Sequence, residues 1–140
     1  MHPFHVLPLL FALAALVAFA FLVRWERSRY AQLGKAGGWR RVRIASIPIA
    51  MATAAIVWIP AQATSGMEGL AVFYGLLLAV APAFWFAAHW LVGRSASPPL
   101  SFGESAAIAG SPLAFGLVAV YVAHALQTPA WLFLRSLGLA

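Results

Sequence analysis

The sequence predicts an all-α integral membrane protein: four transmembrane helices in a small helical bundle, with both termini on the outer side (N-out/C-out). Apolar residues make up 64% of the 140 residues and charged residues only 9%, against about 25% charged in average globular proteins. The apolar residues fall into four long stretches, each close to the roughly 20 residues that a helix needs to cross a bilayer. A soluble domain of this size could not remove so much apolar surface from water, so lipid is the expected solvent.

The four predicted spans form a single membrane domain. The first two are separated by a long basic loop, and the other connections are shorter or rich in Ser, Pro and Gly, which are typical of loops. Arg43 and Pro48 lie near the start of the second span, so a re-entrant segment is an alternative there. The predicted spans are residues 4–23, 42–59, 70–92 and 112–134, and the basic loop is residues 24–43.

The orientation follows from the basic residues. Seven of the nine Lys and Arg residues lie between the first two spans, and the positive-inside rule places such a loop in the cytoplasm. Arg135 is the one basic residue that this orientation places outside. We therefore expect a multi-pass protein of a bacterial inner membrane. The seven residues are Arg24, Arg27, Arg29, Lys35, Arg40, Arg41 and Arg43.

The same seven residues are the predicted lipid- or partner-binding site. Juxtamembrane cations attract anionic lipid, by about 1 kcal/mol each near the surface, and would equally suit an acidic surface of a partner. Glu26 is expected to balance their charge, and Gly34, Gly37 and Gly38 to make the loop flexible. Nucleic acid is not an expected partner, because the charge comes without a recognition module.

Packing inside the membrane is predicted from small residues and prolines. Alanines at spacing four allow helix backbones to approach closely, which supports either a bundle or docking onto a larger partner. Pro48 and Pro82 lie inside predicted spans, where each removes a backbone donor and is expected to bend its helix. The alanine pairs and triplet are Ala14 and Ala18, Ala50 and Ala54, Ala79, Ala83 and Ala87, and Ala119 and Ala123.

His124 is the predicted centre of a cofactor-binding site. It lies about 18 Å along the fourth span from its inner end, at 1.5 Å per residue, and ionisable residues at that depth suggest function. Helical spacing places Tyr121, Gln127 and Thr128 on the same face. This group of residues could bind a quinone headgroup, ligate haem b or relay a proton. The alternative is a neutral histidine that is hydrogen-bonded to another helix, with Thr53 at a similar depth as a candidate partner.

The remaining titratable residues suggest no further site. His89 lies about 5 Å from the inner end of its span, too far in depth from His124 to share one iron, and an interfacial position beside Trp90 is expected. His2 and His5 have no nearby acid or cysteine to complete a metal site. Because no carboxylate lies within a span and no triad converges, neither catalytic residues nor a metal site are predicted.

The predicted function is that of a non-catalytic accessory or structural transmembrane subunit of a larger membrane complex. A respiratory or photosynthetic complex is the expected setting, and the expected partners are anionic lipids and other integral membrane subunits. One alternative is an electron-transfer membrane anchor that binds haem or quinone at His124. Another is a small transporter or channel component, for which the spans supply few polar residues.

Overall fold

The structure, a computed structural model, describes residues 6–137, with side chains described from Pro8 onwards. Its regular elements within this range are all helical. A π-helical segment, Leu76–Val80, joins the third and fourth helices into one continuous stretch. The helices are α1 (Val6–Gln32), α2 (Ala36–Gln62), α3 (Gly66–Gly75), α4 (Ala81–Arg94) and α5 (Phe102–Ser136).

Four helical stretches are long and apolar enough to span a membrane. The predicted all-α class with four transmembrane helices is therefore confirmed, and the chain is a multi-pass membrane protein. Segment 42–59 lies within the 27 residues of α2, about 40 Å of helix, which is enough to cross. The four stretches that contain the spans are Pro8–Gln32, Ala36–Gln62, Gly66–Arg94 and Phe102–Ser136.

The structure corrects the prediction that residues 24–43 form a loop. α1 continues to Gln32 and α2 begins at Ala36, so only residues 33–35 connect the two helices. The prediction failed because hydropathy marks where a helix leaves the hydrocarbon, whereas Arg and Lys are themselves good helix formers. Six of the seven basic residues are therefore held on helices, and Lys35 lies in the tight turn between them.

Two glycines make the short connections possible. Gly34 has φ +69° between α1 and α2, and Gly66 has φ +63° where α3 begins. This left-handed region is open to glycine without steric cost. Of the three glycines expected to loosen the basic segment, only Gly34 lies in the turn, while Gly37 and Gly38 belong to the first turn of α2.

Pro82 is accommodated by the π-helical segment that precedes it. Proline has no N–H and cannot donate to the carbonyl four residues earlier. Immediately before it, the Ala81 N–H donates to the carbonyl of Leu76, five residues back. A π-bulge is a common way for a helix to accommodate an interruption of its backbone hydrogen bonds.

The chain divides into two compact units. Unit 1 comprises the described parts of Met1–Glu26 and Gly110–Ala140, which are most of α1 and the larger part of α5. Ala119 and Ala123 are each only 1% exposed. At one end of this unit, the Ser111 hydroxyl donates to the carboxylate of Glu26 at 2.7 Å, and Glu26 is 2% exposed.

Unit 2, Arg27–Ala109, is built around the packing of α2 against the stretch from α3 to α4. Glycines allow the closest approaches. A Cβ atom at Gly38 would collide with the carbonyl oxygen of Pro98, and one at Gly93 would collide with the Ser105 side chain. Gly38 is therefore a packing residue rather than a source of flexibility.

The alanine pattern identified only part of the packing. Ala119 and Ala123 are buried as predicted, and Ala14 and Ala18 are partly buried. The other alanines of the pattern belong to unit 2 and are exposed, so they do not form the close helix contacts of that unit. These exposed residues are Ala50, Ala54, Ala79, Ala83 and Ala87.

Candidate functional site

The predicted cofactor site lies on an exposed face of α5. Tyr121, His124 and Thr128, here called the polar stripe, are all exposed, with Tyr121 at 75%. At 3.6 residues per turn the stripe lies opposite Ala119 and Ala123, the buried residues of α5 in unit 1. Gln127, which was predicted to belong to the site, is partly buried at the edge of this face.

The candidate partner of His124 has its own hydrogen bond. The Thr53 hydroxyl donates to the Ile49 carbonyl in the preceding turn of α2 at 2.7 Å. A threonine hydroxyl has one proton, so Thr53 retains only acceptor capacity for any other group. Hydrogen bonding back to the own helix is common for Thr in apolar helices.

A second polar cluster is buried in unit 2 and centres on His89. The side chain is 0% exposed, which corrects the expectation of an interfacial position beside Trp90. Its Nδ1 lies 2.7 Å from the Trp85 carbonyl, and its Nε2 lies 3.0 Å from the Ser46 hydroxyl on α2. The Trp85 ring packs against the imidazole, with ring centroids 4.3 Å apart.

The geometry assigns one proton of His89. A carbonyl oxygen can only accept, so Nδ1 carries a proton and donates to Trp85. Ser46 has a single hydroxyl proton and two acceptors within reach, the Val42 carbonyl at 3.0 Å and Nε2. Both ring nitrogens are thus engaged, and the cluster joins α2 to α4.

Arg43 donates a hydrogen bond to the backbone of α5. Its Nη2 donates to the Ile108 carbonyl at 3.2 Å. In a regular helix this carbonyl would accept from residue 112, which is Pro112 and has no N–H. Trp85 Nε1 donates to the next carbonyl, that of Ala109, at 2.9 Å. Side chains of unit 2 therefore bind the carbonyls where proline interrupts α5, as expected for helices in lipid.

The start of α5 is fixed by a capping box and an ion pair. Ser101 and Glu104 bond reciprocally: the Ser101 N–H donates to the carboxylate at 2.7 Å, and the Glu104 N–H donates to the Ser101 hydroxyl at 3.2 Å. Lys35 Nζ donates to both carboxylate oxygens at 2.7 and 2.8 Å. Ser101 and Glu104 form the S-x-x-E motif that is typical of a helix start.

Glu104 lies outside the membrane-spanning segment. The 35 residues of α5 extend about 52 Å, far beyond a hydrocarbon core of about 30 Å, and Glu104 precedes the predicted span 112–134. The hydrogen bond from the Lys35 ammonium lowers the pKa of the Glu104 carboxyl, and the hydrogen bond from the Ser101 N–H lowers it further.

The structure separates the seven basic residues into two groups. Lys35 is engaged with Glu104, and Arg43 is buried. The other five are exposed, and of these Arg41 donates to the Ser95 carbonyl at 2.9 Å. The residues that remain suited to a lipid phosphate or an acidic partner are Arg24, Arg27, Arg29, Arg40 and Arg41.

Unit 1 also contains an apolar groove of about 270 Å³ between its two helices. An apolar cavity of about 150 Å³ can hold benzene, so the groove is large enough for an acyl chain or a side chain. None of the predicted cofactor-binding residues Tyr121, His124 and Gln127 lines it. Its lining residues are Ala15, Ala18, Phe19, Pro112, Phe115 and Gly116.

The described residues contain no group of three or more His, Cys, Asp or Glu side chains arranged to hold a metal ion. His2 and His5 lie outside the described residues. Ser46 and Trp85 were not predicted as partners of His89. Trp85 could have been found, because it precedes His89 by four residues, the spacing that brings helical side chains together.

No family model, curated protein or solved structure matches this chain. The site residues are therefore interpreted from their geometry alone.

Proposed function

We propose that this protein is a non-catalytic transmembrane subunit that assembles with other integral membrane proteins in a larger complex. The observation that carries the proposal is the polar stripe, which lies on the exposed face of a membrane-spanning helix. A phenol, an imidazole and a hydroxyl near the middle of a span are costly against lipid. Another helix with hydrogen-bonding groups would remove that cost.

The exposed arginines support the same proposal. With the proposed N-out/C-out orientation, they lie at the cytoplasmic ends of α1 and α2, where anionic lipid or an acidic subunit surface would bind them. In this proposal the exposed arginines make the lipid or partner contact, because Lys35 is paired with Glu104 and Arg43 is buried. A bacterial inner membrane and a respiratory or photosynthetic complex are the proposed setting.

The test is purification of the tagged chain from native membranes in mild detergent, followed by mass spectrometry. We expect other integral membrane proteins at fixed stoichiometry. The triple variant Tyr121→Phe, His124→Leu, Thr128→Val should lose them while keeping the thermal stability of the isolated chain. Val118→Leu, on the same helix but outside the stripe, is the matched control. A chain that purifies without any partner in the wild type would overturn the proposal.

The second candidate function is an electron-transfer anchor in which His124 binds haem b or a quinone headgroup. It is favoured by the exposure of His124 at this depth, because a ligand outside the chain could reach its ring. The absorption spectrum of the same purified sample tests it. A Soret band that disappears in His124→Leu and persists in His89→Leu would establish His124 as a haem ligand.

A further inference from the structure

We infer that the polar stripe pairs with the same stripe on a second copy of this chain, so that the two α5 helices form a parallel, two-fold symmetric pair. The inference rests on the proposed function, since it names the first partner of the surface that the proposed function uses. Three arguments support it. Two concern α5, namely the spacing of its exposed residues and their hydrogen-bonding chemistry. The third is the orientation that all copies of the chain share in the membrane.

The exposed face of α5 has the spacing of a helix–helix seam. Ala114, Leu117, Tyr121, His124 and Thr128 follow one another at steps of three, four, three and four residues, and all five are exposed. Alternating steps of three and four are the a and d positions of a heptad, which face a partner helix in a left-handed pair. Over this stretch the seam is about 21 Å long, and such crossings are the common class in membranes.

The chemistry of the seam is self-complementary. Tyr121 and Thr128 each carry a hydroxyl, which both donates and accepts, and neutral imidazole has one donor and one acceptor. Each of the three side chains can therefore form a hydrogen bond with the same side chain on the second copy. An apolar partner helix would offer no hydrogen bond to any of them. A Lys, Arg, Asp or Glu residue in the seam would repel its copy, and none is present between Ala114 and Thr128.

The orientation of the chain in the membrane determines the symmetry of the pair. All copies of one chain insert with the same orientation, because the same basic residues determine it. Two copies of α5 are then parallel, and a two-fold axis normal to the membrane brings identical residues together. Polar residues within such a seam fix its register, which is the role we assign to His124.

Cysteine cross-linking in native membranes tests the pair, since the natural chain has no cysteine. Single variants Leu117→Cys and Thr128→Cys should form disulfide-linked dimers on oxidation, because a disulfide needs Cα atoms within about 7 Å. Val118→Cys is the matched control, exposed at 55% but about 100° away from Leu117 around the helix. It should cross-link much less.

Co-expression of two differently tagged copies separates this inference from the proposed function. We expect one tag to recover the other. The triple stripe variant should weaken recovery on the order of tenfold, as the loss of several interhelical hydrogen bonds implies. Recovery of other membrane proteins without the second tag, or equal cross-linking at Leu117 and Val118, would overturn the inference and leave the proposed function standing. Recovery of neither would overturn both.

Discussion

The two histidines within the spanning helices have opposite surroundings. In unit 2, His89 is fully buried, and both of its ring nitrogens have partners on α2 and α4. In unit 1, His124 is exposed on α5, on the face opposite the buried alanines. A buried polar group whose hydrogen bonds are made stabilises the chain itself, whereas a polar side chain exposed to lipid is costly. The same residue type thus contributes to packing in unit 2, whereas in unit 1 it supports the proposed assembly with a partner.

The largest effect on the free energy of unfolding is expected at Arg43, which supplies the hydrogen-bond donor that α5 lacks at Pro112. Arg43→Met leaves the Ile108 carbonyl without the Arg43 donor, in a place where Pro112 has removed the helical one. We expect a loss of about 2–3 kcal/mol in the free energy of unfolding, as for hydrogen bonds from charged groups. Reversible unfolding of the purified chain in mixed micelles measures it.

Arg40→Met is the matched control for Arg43, because Arg40 is exposed on the same helix. Its stability should change by less than about 0.5 kcal/mol, while binding to vesicles that contain anionic lipid should weaken. Equal stability losses in the two variants would contradict the division of the basic residues into buried and exposed groups.

The comparison of the histidines is tested directly by matched substitutions. His89→Leu removes the hydrogen bonds to Ser46 and Trp85, and we expect a loss of about 1–2 kcal/mol in the free energy of unfolding. His124→Leu removes no contact that holds unit 1 together, so its effect should be close to zero when the chains are diluted to monomers. A larger loss for His124→Leu than for His89→Leu would reverse the assignment.

The smallest effect concerns Glu104. Because Lys35 lowers the pKa of its carboxyl in the folded state, the stabilisation is present above the carboxyl's ordinary pKa. It is lost as the pH falls through the lowered value. The pair is partly exposed, so the change should be below about 1 kcal/mol. It is measured as the difference between wild type and Glu104→Gln across acidic pH.

Lys35→Gln provides the control for the pH experiment. Without the ammonium, the pKa of Glu104 should be less depressed, so the loss of stability in acid should be smaller than in the wild type and complete at a higher pH. An unchanged pH profile would mean that the capping box with Ser101, rather than the ion pair, holds the carboxylate.

Much of the architecture was predictable because it depends on local composition. The four spans follow from apolar length, and the burial of Ala119 and Ala123 agrees with their spacing. The basic segment was misjudged, since hydropathy locates the membrane edge but not the helix end. His89 was misjudged for a different reason: its distance from the end of the span suggested an interface, and only the packing of α2 and α4 shows that Ser46 and Trp85 enclose it.

The sequence by itself determined the class of this protein, because lipid as solvent requires long apolar helices with internally satisfied backbones. It also identified His124, Tyr121 and Gln127 as candidates, since polar residues are rare in such helices. Only the tertiary structure decided which polar groups serve the chain and which face outwards. Burial depends on which helix faces meet, and in apolar helices almost every face has the same composition. That is why Lys35, Arg43 and His89 are assigned to the fold, whereas Tyr121, His124 and Thr128 lie on an exposed face of α5.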